Sequence, residues 1–233
     1  MRIHWIKAPQ SRLLITGFKG IGQVGYLSIR YILDHLDHIK RIGIFESIYL
    51  PPVISVEEDY LSYPVEIYEF EDKFLLLKAD ELPVDSRGSY IIRKIIDELK
   101  SMEINKIISI GGLVSTLKEG EGDKVRVVYN SFWKEKLKYP YTQKNVKIYG
   151  PLANILFYTE LKKIPAMALL AYADPEKPID LRGVYNAIAA CTEIIGIDID
   201  LRELEETADE LERKLGDILE TDVKSDRDKY MYT

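Results

Sequence analysis

The sequence predicts one α/β domain whose mixed or largely parallel sheet is flanked by helices. Three observations indicate this fold class. Short apolar runs typical of strands alternate along the chain with longer segments of helical periodicity. The β-branched run at residues 107–110 precedes Gly111 and Gly112, as is typical of a buried strand. The chain of 233 residues suits a single α/β unit and shows neither an internal repeat nor a linker before Gly196.

The first half of the chain is predicted to contain four strands and one helix. The strands are short apolar runs, whereas the helix repeats apolar residues every three to five positions. The predicted strands cover residues 12–16, 41–45, 65–70 and 74–79, and the helix covers residues 24–36. Pro51 and Pro52 exclude a helix between the second and third strands. The charged triplet at residues 71–73 suits a tight hairpin between the last two strands.

The second half alternates helices with strands. Its helices show an apolar inner face or carry proline in the first turn, and its strands are apolar or β-branched. The predicted helices cover residues 86–102, 151–161 and 181–195, and the strands cover residues 107–110, 125–129 and 166–172. Residues 116–123 form a polar, glycine-containing loop. The cluster Tyr139-Pro140-Tyr141 is compatible with either an exposed contact or a packed loop.

The chain changes character after Gly196. We therefore divide it into an α/β core at residues 1–196, an amphipathic helix at 197–220 and a flexible tail at 221–233. The helix carries a heptad-like stripe of apolar residues: Leu201, Leu204, Ala208, Leu211, Leu215 and Ile218. This stripe fits a helix that lies on its own core, and it also fits a contact between subunits. The tail is polar until its aromatic tip, so it cannot bury enough apolar surface to order itself.

Composition excludes several functional classes. The net charge is −6, and no basic cluster stands apart from neighbouring acids, so we expect no nucleic-acid binding. No apolar run is long enough to span a membrane, and the N-terminus lacks the pattern of a signal peptide, which together predict a cytoplasmic protein. Cys191, the single cysteine, allows no internal disulfide and is expected to be a small buried hydrophobe.

The most distinctive local pattern is a glycine-rich turn between the first predicted strand and helix. Gly20, Gly22 and Gly25 follow Gly17 with the spacing of a dinucleotide-binding loop, and Glu46 stands about where a ribose-binding acid would lie. The prolines and hairpin that come after Glu46 do not continue such a unit. The same glycines also suit a purely structural turn with close backbone packing. Nucleotide binding through residues 17–25 is therefore kept as an alternative function.

Other chemistry is sparse in this sequence. No nucleophile stands in a Gly-x-Ser-x-Gly elbow, and we predict no catalytic residues, no metal site and no cofactor. His35 and His38 lie near one helix end, where they complement the helix dipole better than they suit a metal. The acids around Asp80 and those between residues 119 and 123 lie in loop-like segments, where solvated charge is expected.

The glycine turn also carries a family resemblance. Residues 14–26, read as Leu-Ile-Thr-Gly-Phe-Lys-Gly-Ile-Gly-Gln-Val-Gly-Tyr, resemble the signature turn of the proteasome assembly chaperone 2 family. That family usually has proline where Lys19 stands, a departure that leaves the glycines unchanged. Further similar features are Pro51-Pro52, Glu66-Ile67-Tyr68, Glu81-Leu82-Pro83 and Ile108-Ser109-Ile110-Gly111-Gly112. The likeness covers roughly residues 12–196.

The family resemblance suggests a function for the last three residues of the sequence. Met231, Tyr232 and Thr233 read as hydrophobic–tyrosine–any residue before the terminal carboxylate, which resembles the HbYX motif of proteasome activators. Among archaeal members, the PbaB-like proteins carry such a tail. The resemblance implies a phosphorylase/hydrolase-like α/β fold without enzymatic activity. It also implies docking on the α-ring of the proteasome core particle, for assembly or activation, and a homo-oligomer, with a tetramer as the form that the resemblance favours.

Overall fold

An eight-stranded mixed sheet forms the centre of the molecule. The structure, a computed structural model, describes residues 2–214. The strands are β1 (Arg2–Trp5), β2 (Leu13–Gly17), β3 (Ile39–Glu46), β4 (Ser55–Val56), β5 (Leu61–Ser62), β6 (Val65–Phe70), β7 (Phe74–Ala79), β8 (Lys106–Val114), β9 (Val125–Tyr129) and β10 (Ala166–Ala173). The helices are α1 (Val24–His35), α2 (Ser86–Ser101), α3 (Gly150–Lys162), α4 (Leu181–Ile195) and α5, which covers residues 202–214.

The strand order is β1-β3-β6-β7-β2-β8-β10-β9, and β4 pairs with β5 in a separate two-stranded sheet. β2 pairs in parallel with β7 and β8, and β8 pairs in parallel with β10. The remaining pairs of the large sheet are antiparallel. The predicted α/β class with a mixed sheet is therefore confirmed, as is the hairpin of β6 and β7, whose register joins Phe70 to Phe74.

Helices cover both faces of the sheet, which explains why every residue of β6, β7 and β10 is buried. One face packs against α1 and α4, and its core includes Leu76, Ile108 and Leu169. The other face packs against α2 and α3, and its core includes Leu77 and the inner isoleucines of α2. Alternation along each strand sends successive side chains to these two cores.

The C-terminal helix α5 lies on the α1 and α4 side of its own domain. α4 ends at Gly196, whose φ of 70° is the left-handed conformation that commonly closes a helix. Leu204 is buried in the same core as α1 and α4, and Ala208 is also buried. The Tyr31 hydroxyl donates to the Asp200 carbonyl at 2.8 Å. Leu201, Leu204 and Ala208 of the apolar stripe therefore lie against or within their own domain, whereas Leu211 is 39% exposed. Leu215 and Ile218 lie outside the described range.

The outer edge of β9 is covered by residues 139–142. The Val127 amide donates to the Pro140 carbonyl, and the Thr142 amide donates to the Val127 carbonyl, both at 3.0 Å. The Tyr139 hydroxyl donates to Glu193 of α4 at 2.8 Å. The Tyr139-Pro140-Tyr141 cluster is therefore a strip that is hydrogen-bonded along the sheet edge, with Pro140 and Tyr141 exposed.

Candidate functional site

The glycine-rich turn joins β2 to α1 at the centre of the sheet. Gly17 and Gly25 touch each other, because a Cβ added to Gly17 would lie 2.1 Å from the Gly25 carbonyl oxygen. A Cβ on Gly25 would lie 2.3 Å from the carbonyl oxygen of Ile110 in β8. These two glycines let the helix approach β2 and β8 at backbone distance.

The two remaining glycines of the turn differ from each other. Gly22 has a φ of +57°, and an added Cβ would lie 2.8 Å from the Cβ of Asp180. The Gly22 carbonyl also accepts a bond from the Asp180 amide at 3.0 Å. Gly20 has an extended backbone, and a Cβ there would meet no atom within 4 Å. Packing within the chain therefore requires three of the four glycines, and only Gly20 has open space beside it.

Gly20 borders a cleft of about 1390 Å³ at the carboxyl ends of β2, β7 and β8. Four segments supply most of the lining: residues 18–21, 79–86, 110–114 and 143–154. Open α/β sheets commonly bind ligands outside the carboxyl ends of their parallel strands. The volume exceeds that of an ordinary small-molecule pocket, which is about 300–1,000 Å³.

The acids at the rim of this cleft are held by neighbouring groups. Glu81 forms an ion pair with Lys19 at 2.9 Å. Asp85 caps α2 by accepting the Arg87 amide at 2.9 Å. Asp80 accepts from Lys78 at 2.7 Å, so it is not the solvated loop acid that the sequence predicted. What distinguishes the cleft is its shape and its apolar wall, not a group of free acids.

Glu46 does not lie near the glycine turn. It ends β3, which is separated from β2 by β6 and β7, a spacing of roughly 14 Å at about 4.8 Å per strand. Its carboxylate pairs with His4 of β1 at 2.6 Å, a contact that lowers the pKa of Glu46. The turn and this acid therefore do not form the dinucleotide site that their spacing in sequence suggested.

A buried group of charges on the α1 side of the sheet was not found by sequence reasoning. Lys78 and Glu66, which pair across the β6–β7 hairpin, are both buried, with Nζ and Oε2 2.6 Å apart. Arg41 reaches the other oxygen of Glu66 at 2.6 Å. The hydroxyls of Ser62 and Tyr68 each donate to Glu66 at 3.1 Å. Burial alone would raise the pKa of Glu66, but the bonds from Lys78 and Arg41 hold it below its ordinary value.

These charges clamp the small β4–β5 sheet onto the domain. The Arg41 guanidinium donates to the Leu61 carbonyl at 2.7 Å, and Lys78 donates to the Ser62 hydroxyl and to the Tyr63 carbonyl. Arg30 of α1 donates to Glu57 at 3.2 Å. The network therefore has a structural role, and the signal for it was the pairing of opposite charges in the hairpin register.

A second buried ion pair holds the loop after β8. Arg126 donates to Asp123 at 2.7 Å, and both side chains are nearly buried. The Tyr172 hydroxyl also donates to Asp123 at 2.9 Å. Asp123 was expected to be solvated, and the expectation failed because a cation from β9 and a phenol from β10 converge on it.

The remaining predicted sites are less informative. His35 lies in the last turn of α1, stacked on Tyr31, and His38 lies beyond the helix end with a φ of 67°. Among residues 2–214, no group of three or more histidines, cysteines or acids could hold a metal ion. Cys191 is buried, as expected. Met231, Tyr232 and Thr233 lie outside the described residues.

Comparison with known families covers most of the chain. The model of the PAC2 family matches residues 14–219. The chain belongs to the PAC2 family. The match includes the glycine turn, both cores and the cleft, and it confirms at family level the resemblance carried by residues 14–26. In the part of the chain that the structure describes, no helix is long and apolar enough to cross a membrane.

One protein is similar to this chain in sequence, and two solved structures share its fold. An uncharacterized protein of Methanocaldococcus jannaschii is 24% identical over 221 residues, which are 92% of this chain and 88% of that protein. PbaA of Pyrococcus furiosus, an archaeal homolog of proteasome-assembly chaperone, matches with a TM-score of 0.76 and 18% identity over 92% of this chain and 94% of its own. PbaB of Pyrococcus furiosus, an archaeal proteasome activator, matches with a TM-score of 0.73 and 21% identity over 93% and 98%.

Proposed function

We propose that this chain is a non-catalytic, cytoplasmic proteasome-binding chaperone or activator that docks Met231, Tyr232 and Thr233 into pockets of the core-particle α-ring. The observation that carries the proposal is membership of the PAC2 family in a chain that ends in hydrophobic–tyrosine–any residue. The fold shared with PbaA, a homolog of proteasome-assembly chaperone, and with PbaB, a proteasome activator, also supports this proposal.

The chemistry of the last three residues suits a pocket on another protein. The terminal carboxylate is an anion present once per chain, and a lysine between two ring subunits would pair with it for about 1.5–3 kcal/mol. Tyr232 supplies a flat ring with a hydroxyl, and Met231 supplies an adaptable apolar side chain.

The described chain ends on α5, on the α4 side of the domain. α5 runs back along α4, because Arg182 at the start of α4 pairs with Glu212 at 3.1 Å. The described chain therefore stops near the end of the domain that holds the glycine turn. The 19 residues after Lys214 could span at most about 65 Å if fully extended.

One docked tail binds weakly, because ordering the tail offsets much of its contact energy. We expect a dissociation constant on the order of millimolar to high micromolar for a single tail. Several tails on one homo-oligomer would raise the overall affinity by roughly 10²–10⁴ without new contacts. The proposal therefore includes self-assembly, with a tetramer as the form that the family resemblance implies.

The test measures peptide hydrolysis by an archaeal core particle with and without this protein, together with binding in a pull-down. Tyr232→Ala, or deletion of residues 231–233, should abolish both stimulation and binding. Tyr230→Ala is the matched control, since it removes a tyrosine from the same tail but outside the motif, and it should behave like the wild type. If Tyr232→Ala binds and stimulates normally, tail docking is refuted.

The cleft beside Gly20 favours a second candidate, binding of a nucleotide as in a nucleotide-binding α/β enzyme. Calorimetric titration with NAD, NADP and ATP tests it. Gly20→Val is the informative variant because Gly20 has room for a side chain, whereas a valine at Gly22 would break the fold. Binding that disappears in Gly20→Val would support the candidate, and no heat from any of the three ligands would remove it.

A further inference from the structure

The wall of the cleft beside Gly20 is largely aliphatic. Isoleucine, leucine and valine supply eleven of the described lining residues, whereas Phe18 and Tyr149 supply the aromatic rings. Phe18 is 6% exposed and Tyr149 is 75% exposed, so one ring is covered by the protein and the other is open to solvent. A nucleotide base binds most favourably when it stacks on aromatic side chains. The wall therefore suits a saturated hydrocarbon chain better than a base.

Three leucines of the wall belong to a small core of their own. Leu113, Leu152 and Leu170 come from β8, α3 and β10, and all three are buried. Val146 and Ile148, which are half-buried, pack against them and carry the more open part of this surface. Because these side chains are held by their neighbours, the apolar surface exists before any ligand binds. A hydrocarbon chain that lies on it would remove apolar area from water, which is the main source of affinity for such a chain.

The polar side chains of the cleft are already engaged within the protein. The Gln143 amide donates to the Leu117 carbonyl at 2.7 Å, and the Asn154 amide donates to the Ser89 hydroxyl at 2.9 Å. The rim acids form the ion pairs and the helix cap described above. A site that recognises the edge of a base needs hydrogen-bonding groups that are available to it. The cleft offers few such groups, which again favours an apolar chain over a nucleotide.

Two lysines supply positive charge at one part of the cleft. Lys144 and Lys147 are exposed and belong to the lining segment that precedes α3. The nearest lysines on either side in sequence, Lys138 and Lys162, are in ion pairs, whereas Lys144 and Lys147 form none within residues 2–214. α3 also begins without a side-chain cap, in contrast to α2 and α4, each of which an aspartate caps. Both features favour a negative group at this part of the cleft.

We propose that the cleft binds a long-chain anion, with its hydrocarbon chain on the aliphatic wall and its carboxylate or phosphate head at Lys144 and Lys147. The cleft volume of about 1390 Å³ exceeds the range of ordinary small-molecule pockets, so it leaves room for a long chain. An anionic head supplies the charge that these two lysines do not find within residues 2–214.

The inference rests on the proposed function only in that it shares with the second candidate a cleft that holds a ligand, and it names a different class of ligand. Its failure is therefore separate from that of the nucleotide candidate, which is measured with other ligands. Tail docking is independent of both, because residues 231–233 take no part in the site.

The first experiment is calorimetric titration of the full chain with straight-chain carboxylic acids of eight, ten and twelve carbons, at neutral pH and below their micelle concentrations. Because each buried methylene adds a similar gain, the affinity should rise roughly tenfold for every two carbons. Alkyl phosphates of the same lengths should show the same rise, and the head that binds more tightly at equal length identifies the head group of the ligand. No binding of either twelve-carbon anion, or an affinity that does not depend on chain length, would overturn the proposal. Binding of NAD, NADP or ATP without binding of any alkyl anion would also overturn it.

A second experiment places the hydrocarbon chain in the cleft. Val84 is fully exposed and lines the cleft, so Val84→Glu should leave the fold intact and weaken binding of the twelve-carbon acid at least tenfold by putting a carboxylate beside the chain. Val56→Glu is the matched control, because Val56 is an 82% exposed valine on β4 outside the cleft, and it should bind like the wild type. A urea unfolding curve checks that both variants remain folded. Unchanged binding by Val84→Glu, or equal loss in Val56→Glu, would contradict the proposed site.

A third experiment tests the position of the head group. Replacing Lys144 and Lys147 together with glutamine should weaken binding about fivefold and leave the dependence on chain length unchanged, because only the charge at the head is removed. The same replacement of Lys118 and Lys124, which are exposed lysines outside the cleft, is the control and should have no effect. Wild-type affinity in the first double variant would exclude these lysines as the site of the head group and overturn the proposal.

Discussion

Replacing Gly25 with alanine tests whether the glycine turn exists for packing. The added methyl group would lie 2.3 Å from the Ile110 carbonyl oxygen and 2.9 Å from the Phe18 amide nitrogen. Both are backbone atoms, one in the central strand β8 and the other in the turn, so neither can rotate away. Helix α1 would have to move outward by about 1 Å to restore ordinary contact distances.

The expected cost follows from this geometry. Overpacking by one methylene typically costs about 1–3 kcal/mol, and the cost here lies at or above the upper end because only backbone can yield. The intrinsic preference of a helix for alanine over glycine offsets at most about 1 kcal/mol. We therefore expect Gly25→Ala to lower the free energy of unfolding by about 3 kcal/mol, a large part of the 5–15 kcal/mol typical of a domain.

Urea unfolding followed by circular dichroism measures this free energy. Gly20→Ala is the matched control in the same turn, since its added methyl group meets no atom within 4 Å and its backbone is already extended. That variant should be neutral or gain up to about 1 kcal/mol by restricting the unfolded chain. The packing argument is refuted if Gly25→Ala unfolds within about 1 kcal/mol of the wild type, or if Gly20→Ala is equally damaged.

Three further predictions concern buried groups. Lys78→Met should lower the free energy of unfolding by about 3 kcal/mol, because it leaves the Glu66 carboxylate buried without one of its two cations. Lys73→Met is the control, since it removes an exposed ion pair at the tip of the same hairpin, and it should lower the free energy of unfolding by less than about 1 kcal/mol. Because the folded-state pKa of Glu66 is lowered, the stability that its carboxylate contributes should be complete above its ordinary pKa of 4.5 and lost as the pH falls through the lower folded value. As the pH is lowered from 7 to 3, the urea midpoint should therefore fall less steeply in Glu66→Gln than in the wild type. An equal dependence on pH in both proteins would contradict this assignment. Burial raises the pKa of the Cys191 thiol to about 12, so a thiol reagent at pH 8 should label the protein only as it unfolds, and rapid labelling of the folded protein would contradict the structure.

Regular elements with strong local signals were predictable from the sequence. Helix α4 occupies the predicted residues 181–195, and the hairpin strands match because a charged triplet interrupts two apolar runs. Strand β1 was missed, since four residues at a sheet edge, of which only Ile3 is buried, carry no clear alternation. β4 and β5 have two residues each and depend on the charges that clamp them.

Glycines caused the main misreadings. Strand β8 was predicted to stop at Ile110, but it runs to Val114 through Gly111 and Gly112. A Cβ on Gly111 would lie 2.5 Å from Leu152, and one on Gly112 would lie 2.4 Å from the Ile21 carbonyl oxygen. These glycines allow close approach from both sides of the sheet and do not end the strand. The sequence cannot distinguish the two uses, because the neighbour that demands the space is distant in the chain.

The cleft could not be derived from the sequence either. Its walls come from segments up to about 130 positions apart, which meet only because β2 lies between β7 and β8. The order of the strands depends on how the connecting helices cross the sheet, and the local hydrophobic pattern of the sequence does not predict this order. The prediction of function depended instead on two short motifs, the glycine turn and the last three residues.

The strip over residues 139–142 determines how this protein can misassemble. An uncovered sheet edge is a template on which another chain can add a strand. Val127 already uses its backbone N–H and C=O on the strip, and Pro140 has no N–H to offer an incoming chain. Strand addition at Val127 of β9 is therefore blocked, and among the described strands of the large sheet the opposite border, β1, is the more accessible template.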